Sequence, residues 1–214
     1  MPPDPNSPVH IVGICGSLRP KSFTRMALRS ALDGAESMNA STSLLDLRDF
    51  DLVFCAGKDD EIEYPAQVHR FREQIQAADG VILGTPEYHG NVSGVLKNAL
   101  DLTGFAEFEG KMVGLIGVSG GAMGAFDALN TLRTVGRALH AWVVPEQAAV
   151  PQAWKVFDAD GAVRDAALNE RLHRVGRQVA HFARLHKCAQ FHDFLKAWQQ
   201  APPNPGGAEK GAAS

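Results

Sequence analysis

The sequence predicts an α/β domain, a parallel β-sheet with helices packed on both faces. Three observations point there. Short apolar runs alternate along the chain with segments of helical spacing, which is the βαβ signature. Three of those runs carry little polar content, as strands buried on both faces do. Hydrophobic residues make up 45% and charged residues 21% of the 214 residues, the balance of a globular chain able to bury a sizeable core.

Residues 1–8 are proline-rich and are expected to form a flexible tail, with no basic-then-apolar run of the signal-peptide kind. The first strand is expected over Val9–Cys15, followed by a helix with Leu28, Ala31, Leu32 and Ala35 on one stripe. A second strand is read at Thr42–Leu47, and the next helix places Val68, Phe71, Ile75 and Ala78 at three- and four-residue steps. Gly80–Gly84 reads as the third strand, and residues 93–103 as a helix with Leu96, Ala99, Leu100 and Thr103 on its inner face. Met112–Val118 is the fourth strand, and Phe126, Leu129, Leu132 and Val135 stripe the helix after it. The fifth strand is either Ala141–Val144 or Gln147–Val150. Leu168, Leu172, Val175, Val179 and Phe182 mark the last and most regular helix. One domain over residues 9–200 is expected, then a disordered tail over 201–214 with too little apolar surface to offset the entropy of ordering. Phe191, Phe194, Leu195 and Trp198 either complete the core or form a subunit contact.

Five strands alternating with five helices fit a flavodoxin-like order or half of a dinucleotide-binding fold, and periodicity leaves the two open. Both put ligands at the carboxyl ends of the strands, where the strand order reverses. The loops after strands one, three and four should therefore carry the chemistry.

The first loop runs Gly16-Ser17-Leu18-Arg19-Pro20-Lys21-Ser22-Phe23-Thr24. It leaves a buried strand and enters a helix, where free N–H groups and the helix dipole favour an anion. Ser17, Ser22 and Thr24 add hydroxyl donors and Arg19 a fixed cation, a set suited to a terminal phosphate. The plainer alternative is that Ser22 or Thr24 only caps the helix. The loop is no Walker A motif, and G-x-G-x-x-G fails because Gly13 and Gly16 are followed by no third glycine. The second loop holds Pro86, Glu87, Tyr88, His89 and Gly90, then Asn91 and Ser93 as candidate helix caps. Pro86 fixes φ, the glycines allow close backbone approach, and Tyr88 could cover an aromatic ring. Glu87 and His89 are read as binding-loop residues rather than as an acid/base pair, and Lys97 with Asp101 as an i,i+4 pair on a solvated face. The third loop, Ser119-Gly120-Gly121-Ala122-Met123-Gly124, permits backbone approach to a planar ring, with Ser119 able to bond a ring edge.

With Gly-Ser-Leu-Arg-x-x-Ser at 16–22, and Pro-Glu-Tyr-His-Gly followed by Ser-Gly-Val-Leu-Lys-Asn-Ala-Leu-Asp at 86–101, the sequence resembles the NADPH-dependent FMN reductases. That family includes quinone, chromate and azo-dye reductases, and the similarity covers roughly residues 9–155. The resemblance implies a flavodoxin-like three-layer sandwich with a five-stranded parallel sheet. It implies that Ser17, Arg19, Ser22 and Thr24 hold the phosphate of FMN, with Phe23 beside them. Pro86, Glu87, Tyr88, His89 and Gly90 would line the isoalloxazine, and Ser119, Gly120, Gly121 and Met123 would meet its pyrimidine side. No catalytic side chain is implied, because flavin N5 carries the chemistry. Electrons would pass by a ping-pong cycle from NADPH or NADH to a small acceptor: quinone, chromate, azo compound, ferric chelate or free flavin. A homodimer or homotetramer is implied as well. The chain departs from the family where many members have Asn at the positions of Thr24 and His89, Pro at Ser93 and Trp at Leu102; the last puts any stacking by that Trp in doubt.

Other classes fare worse. A net charge of −3 gives no field for nucleic acid or an anionic membrane. Cys15, Cys55 and Cys188 are too far apart for a disulfide framework or a zinc site, which fits a reducing cytoplasm, and Cys15 is expected to be buried. No apolar stretch reaches the roughly 20 residues of a membrane helix. His173, His181, His186 and His192 never pair at i,i+4, so no metal is expected. A flavodoxin-type electron carrier would be more acidic with a Thr-rich loop, and a flavin redox sensor would not turn over NADPH. A dinucleotide dehydrogenase lacks its glycine fingerprint and a well-placed acidic residue after strand two.

Overall fold

Strand β1 (Val9–Cys15) divides its side chains between two apolar layers, Ile11 and Cys15 on one and Val12 and Ile14 on the other. A strand whose two faces are both covered must sit inside a sheet, and β1 does. The structure, a computed structural model, describes residues 8–57 and 63–187. The tail expected at 1–8 (Pro8 apart), the tail at 201–214, Cys188, His192 and the aromatic stretch Phe191–Trp198 lie outside the described residues.

Five strands run parallel in the order β2-β1-β3-β5-β6, with β2 at Ala40–Asp46, β3 at Gly80–Tyr88, β5 at Met112–Val118 and β6 at Trp142–Val150. The chain goes from β1 out to β2 and returns to β3 on the other side, so the order reverses between β1 and β3. That is the flavodoxin-like order, and it closes the alternative of half a dinucleotide-binding fold. A two-residue β4 (Asn91–Val92), absent from the sequence reading, pairs antiparallel with the end of β3.

Helices α1 (Phe23–Glu36) and α7 (Ala166–His186) cover one face, and α2 (Ala66–Gln76), α3 (Gly94–Asp101) and α5 (Phe126–Ala138) the other. Short turns α4 (Phe105–Phe108) and α6 (Ala153–Val156) complete the described helices. Ser22, Ser93 and Asp165 cap α1, α3 and α7 with their side-chain oxygens, stopping each helix where free N–H groups would otherwise be left. α1 and α7 meet at glycines: a methyl group on Gly176 would collide with the Ala31 carbonyl, and one on Gly34 with the backbone of His173.

Several boundaries differ from expectation for local reasons. The second strand ends at Asp46, because Leu47 begins a single tight turn capped by the Asp46 carboxylate. The two candidate fifth strands are one strand, with its register broken opposite Gly114 where Pro145 interrupts it. β6 is an edge strand, where proline is tolerated. Phe126 is 62% exposed rather than buried, because it opens α5 above the carboxyl edge of the sheet, beyond the strands that cover Leu129 and Leu132. Leu102 is fully buried and packs with Tyr64 and Val68. No helix among the described residues is long and apolar enough to cross a membrane.

Candidate functional site

The carboxyl ends of β1, β3, β5 and β6 open into a cleft of about 380 Å³, within the usual range for small-ligand sites. Its lining draws on all three expected loops: Ser17, Arg19, Ser22, Phe23 and Thr24 from the first, Pro86, Glu87 and Tyr88 from the second, Ser119 and Gly120 from the third. His89, Gly90, Gly121 and Met123 are not among the lining residues.

The first loop is tightly seated. Gly16 donates to the Gly84 carbonyl at 2.8 Å, and a methyl group at Gly16 would stand 2.7 Å from Leu96 Cβ. Only glycine lets β1, β3 and α3 converge there. Ser17, Ser22 and Thr24 are buried. Ser22 Oγ accepts from the Arg25 N–H at 3.2 Å, so the plain capping role is real. It also leaves the Ser22 hydroxyl proton free to donate, and capping and anion binding are therefore compatible. The N–H groups of Ser17, Leu18, Lys21 and Ser22 meet no acceptor within the described residues. Neither the Arg19 nor the Lys21 side chain has a partner there, and both stand exposed at the cleft. No protein group among the described residues fixes the Arg19 side chain.

The fixed cation is Arg25, which sequence reading missed. Its guanidinium is buried, meets Asp46 Oδ2 at 2.5 Å, and donates to the carbonyls of Arg19 and Pro20 at 3.1–3.4 Å. Arg48 reaches the same Asp46 oxygen at 2.8 Å. Burial by itself would raise the pKa of Asp46, but the hydrogen bonds from Arg48 and Arg25 outweigh it and bring the value to about 2. An acidic residue does end strand two. It is consumed by two arginines and is not offered to a ribose. Cys15 lies beside it in register, buried as expected, and burial pushes its thiol pKa up.

In the second loop the Glu87 carboxylate accepts from the Ala128 N–H at 3.0 Å and so caps the first turn of α5. His89 (φ 52°) and Gly90 (φ 71°) are both left-handed, as the two-residue turn between β3 and β4 demands. His89 is a turn residue for that reason. Ser93, not Asn91, caps α3, and its hydroxyl also donates to the Gly16 carbonyl at 2.7 Å, tying the second loop to the first. Tyr88 is 43% exposed at the cleft.

The third loop is looser. Ser119 Oγ accepts from the Gly121 N–H, and a Cβ on Gly120 would meet nothing within 4 Å. No protein atom requires glycine at 120, and Gly120 lines the cleft. The Ser119 and Gly121 carbonyls accept from Ala153 and Gln152, which brings a fourth loop, the one after β6, to the rim. That loop presents Trp154, 61% exposed in the cleft lining with the Lys155 ammonium 4.7 Å from its ring centre. Trp154 was also missed, although the carboxyl-end rule applied to strand five would have reached it.

Free N–H groups, three buried hydroxyls and two unpaired cations suit a phosphate at one end of the cleft. Exposed aromatic side chains and a glycine with open space suit a flat ring along the rest. The residues present fit a flavin mononucleotide.

Comparison with known proteins agrees with this geometry. The family model described as NADPH-dependent FMN reductase matches residues 9–155. The NADPH-dependent FMN reductase ArsH of Shigella flexneri is 31% identical over 183 residues, 83% of this chain and 70% of that protein. An NAD(P)H-dependent FMN reductase of Pseudomonas aeruginosa is 34% identical over 175 residues, 78% of this chain and 90% of that protein. Among solved structures, the flavoenzyme NAD(P)H:(acceptor) oxidoreductase FerB of Paracoccus denitrificans aligns with a TM-score of 0.64 at 26% identity, covering 83% of this chain and 98% of that one. The cleft and the match over most of the sheet lead to one assignment: the chain belongs to the NADPH-dependent FMN reductase family.

Proposed function

We propose that this NAD(P)H-dependent FMN reductase uses one cleft for both halves of a ping-pong cycle, holding FMN there and serving nucleotide and small acceptor in turn. The observation that carries the reading is the meeting, in a single cleft, of an anion cradle at residues 17–24 and an aromatic, glycine-lined mouth at Tyr88, Gly120 and Trp154.

The N–H groups and hydroxyls of Ser17, Ser22 and Thr24, with Arg19 and Lys21 outside them, would hold the phosphate. Pro86, Glu87 and Tyr88 would form one wall for the ring, and the Ser119–Gly120 backbone would meet its polar edge. His89, Gly90, Gly121 and Met123 support this arrangement as turn and loop residues next to the wall. When bound, the flavin supplies the redox chemistry, accepting two electrons as hydride and releasing them to an acceptor. The protein orients the partners and leaves one side of the cleft open to solvent. Glu87 is engaged as the cap of α5, its carboxylate accepting from the Ala128 N–H. The acceptor would be a small oxidant: quinone, azo compound, chromate, ferric chelate or free flavin.

The test is spectroscopic and kinetic. Protein mixed with FMN and desalted should keep flavin absorbance, and anaerobic NADPH or NADH should bleach it. Initial rates against NADPH at several quinone concentrations should then give parallel double-reciprocal lines. Retained flavin that neither nucleotide bleaches would mark an electron carrier instead, and absence of retained flavin would remove the reading.

A further inference from the structure

We propose that Arg25, pinned by Asp46, is the positioning residue that shapes the phosphate loop into an anion cradle. The proposal rests on the flavin reading above and adds to it a pair of residues that need not touch the ligand.

A loop can present its N–H groups to an anion only if its carbonyls are turned away and satisfied elsewhere. Here the carbonyls of Gly16, Ser17, Arg19 and Pro20 all accept from inside the protein. Ser93 Oγ donates to Gly16 at 2.7 Å and the Cys15 thiol to Ser17 at 3.8 Å. Arg25 alone takes two of the four, Arg19 and Pro20, at the outer bend of the loop. The N–H groups of Ser17, Leu18, Lys21 and Ser22 are left without an acceptor among the described residues.

Arg25 can do this because its direction is fixed. It sits in the first turn of α1, 7% exposed, and its Nε is held by Asp46 at the carboxyl end of β2. A planar guanidinium bonded to a carboxylate on one edge aims its remaining donors along one direction. A lysine would keep the charge but could not bridge three acceptors in one plane.

The experiment compares FMN with riboflavin, which lacks only the phosphate, by fluorescence-quench titration of the full chain. Wild type should bind FMN more tightly than riboflavin by at least an order of magnitude. Arg25→Lys and Asp46→Asn should each weaken FMN by about tenfold or more, with riboflavin affinity unchanged within about twofold. Arg48→Ala serves as the control, since Arg48 shares Asp46 but makes no bond to the loop, and its FMN affinity should stay at the wild-type level. Thermal unfolding of each variant reports whether it is folded. FMN and riboflavin weakened together in a folded variant would mean a general structural role and overturn the proposal. Equal wild-type affinity for the two ligands would overturn it without recourse to any variant. Wild-type protein that binds neither would refute the flavin reading itself, a separate outcome.

Discussion

The two ends of the cleft are built by opposite means. The loop at residues 16–24, the proposed phosphate loop, is backed by a buried ion pair, a helix cap and a glycine with no room for a methyl group. The rim formed by the loops after β5 and β6 has Gly120 facing open space, Met123 at 91% exposure and Trp154 at 61%. A preorganised site lowers the cost of ordering on binding, which suits a ligand that stays put. An open rim with exposed apolar groups suits partners that enter and leave. The division is the one that the proposed cycle asks for, one ligand kept and two exchanged.

The largest expected effect comes from breaking the stiff end at Asp46. Its carboxyl pKa stands at about 2 in the folded protein, below the ordinary unfolded value of about 3.9. Such a group stabilises the fold above its unfolded pKa and loses that contribution as pH falls from about 5 toward 2. Asp46→Asn should lower urea stability near neutral pH by about 3 kcal/mol, because it strands a buried guanidinium. The gap to wild type should narrow as pH falls toward 2, and a gap independent of pH would show that Asp46 acts through packing alone.

A smaller effect separates the two ends by the same substitution. Gly16→Ala places a methyl group 2.7 Å from Leu96 Cβ and 2.9 Å from the Gly84 carbonyl, and should cost about 1–3 kcal/mol, or about 3–10 °C in Tm. Gly120→Ala should leave Tm within about a degree and instead weaken flavin or acceptor binding, since the added methyl group meets no protein atom and the residue lines the cleft. Equal thermal losses would erase the contrast between stiff and open ends.

Trp154→Ala sharpens the comparison at the rim. Stability should change by less than about 0.5 kcal/mol, as for an exposed position. The kcat/KM for a planar aromatic acceptor should fall about fivefold, the scale of one aromatic contact. The value for a non-aromatic ferric chelate should move little, and a uniform loss across acceptors would assign Trp154 to flavin binding.

Most of the sheet was readable because buried parallel strands are nearly pure apolar runs, and the helix stripes at Leu28–Ala35 and Leu172–Val179 stayed on their inner faces. Prolines concealed the rest. β3 runs on through Pro86, which reads as a strand breaker, because at residues 85 and 86 its neighbour β1 has ended and β5 alone borders it, before β4 pairs with Glu87 and Tyr88. Pro145 split β6 for a similar reason. The loops that line the cleft were legible from their glycines and hydroxyls. Arg25 was not, since an arginine in a first helical turn reads as a solvated side chain. Its partner lies 21 residues away and meets it only through the pairing of β1 with β2. Trp154 follows a strand whose end was left undecided, so its loop was not counted.

The glycine contact between α1 and α7 sets a timetable for the newborn chain. The helix that starts at the phosphate loop is among the first to leave the ribosome, and the helix that covers it is the last of those described. Until residues beyond 166 emerge, Ala27, Leu28 and Ala31 have no α7 to pack against, and the same sheet face at β5, where Val175 and Val179 cover Gly114, is bare. Cofactor capture is therefore expected to be post-translational, and a truncation that removes α7 should yield a chain that stays with chaperones, however complete its motifs.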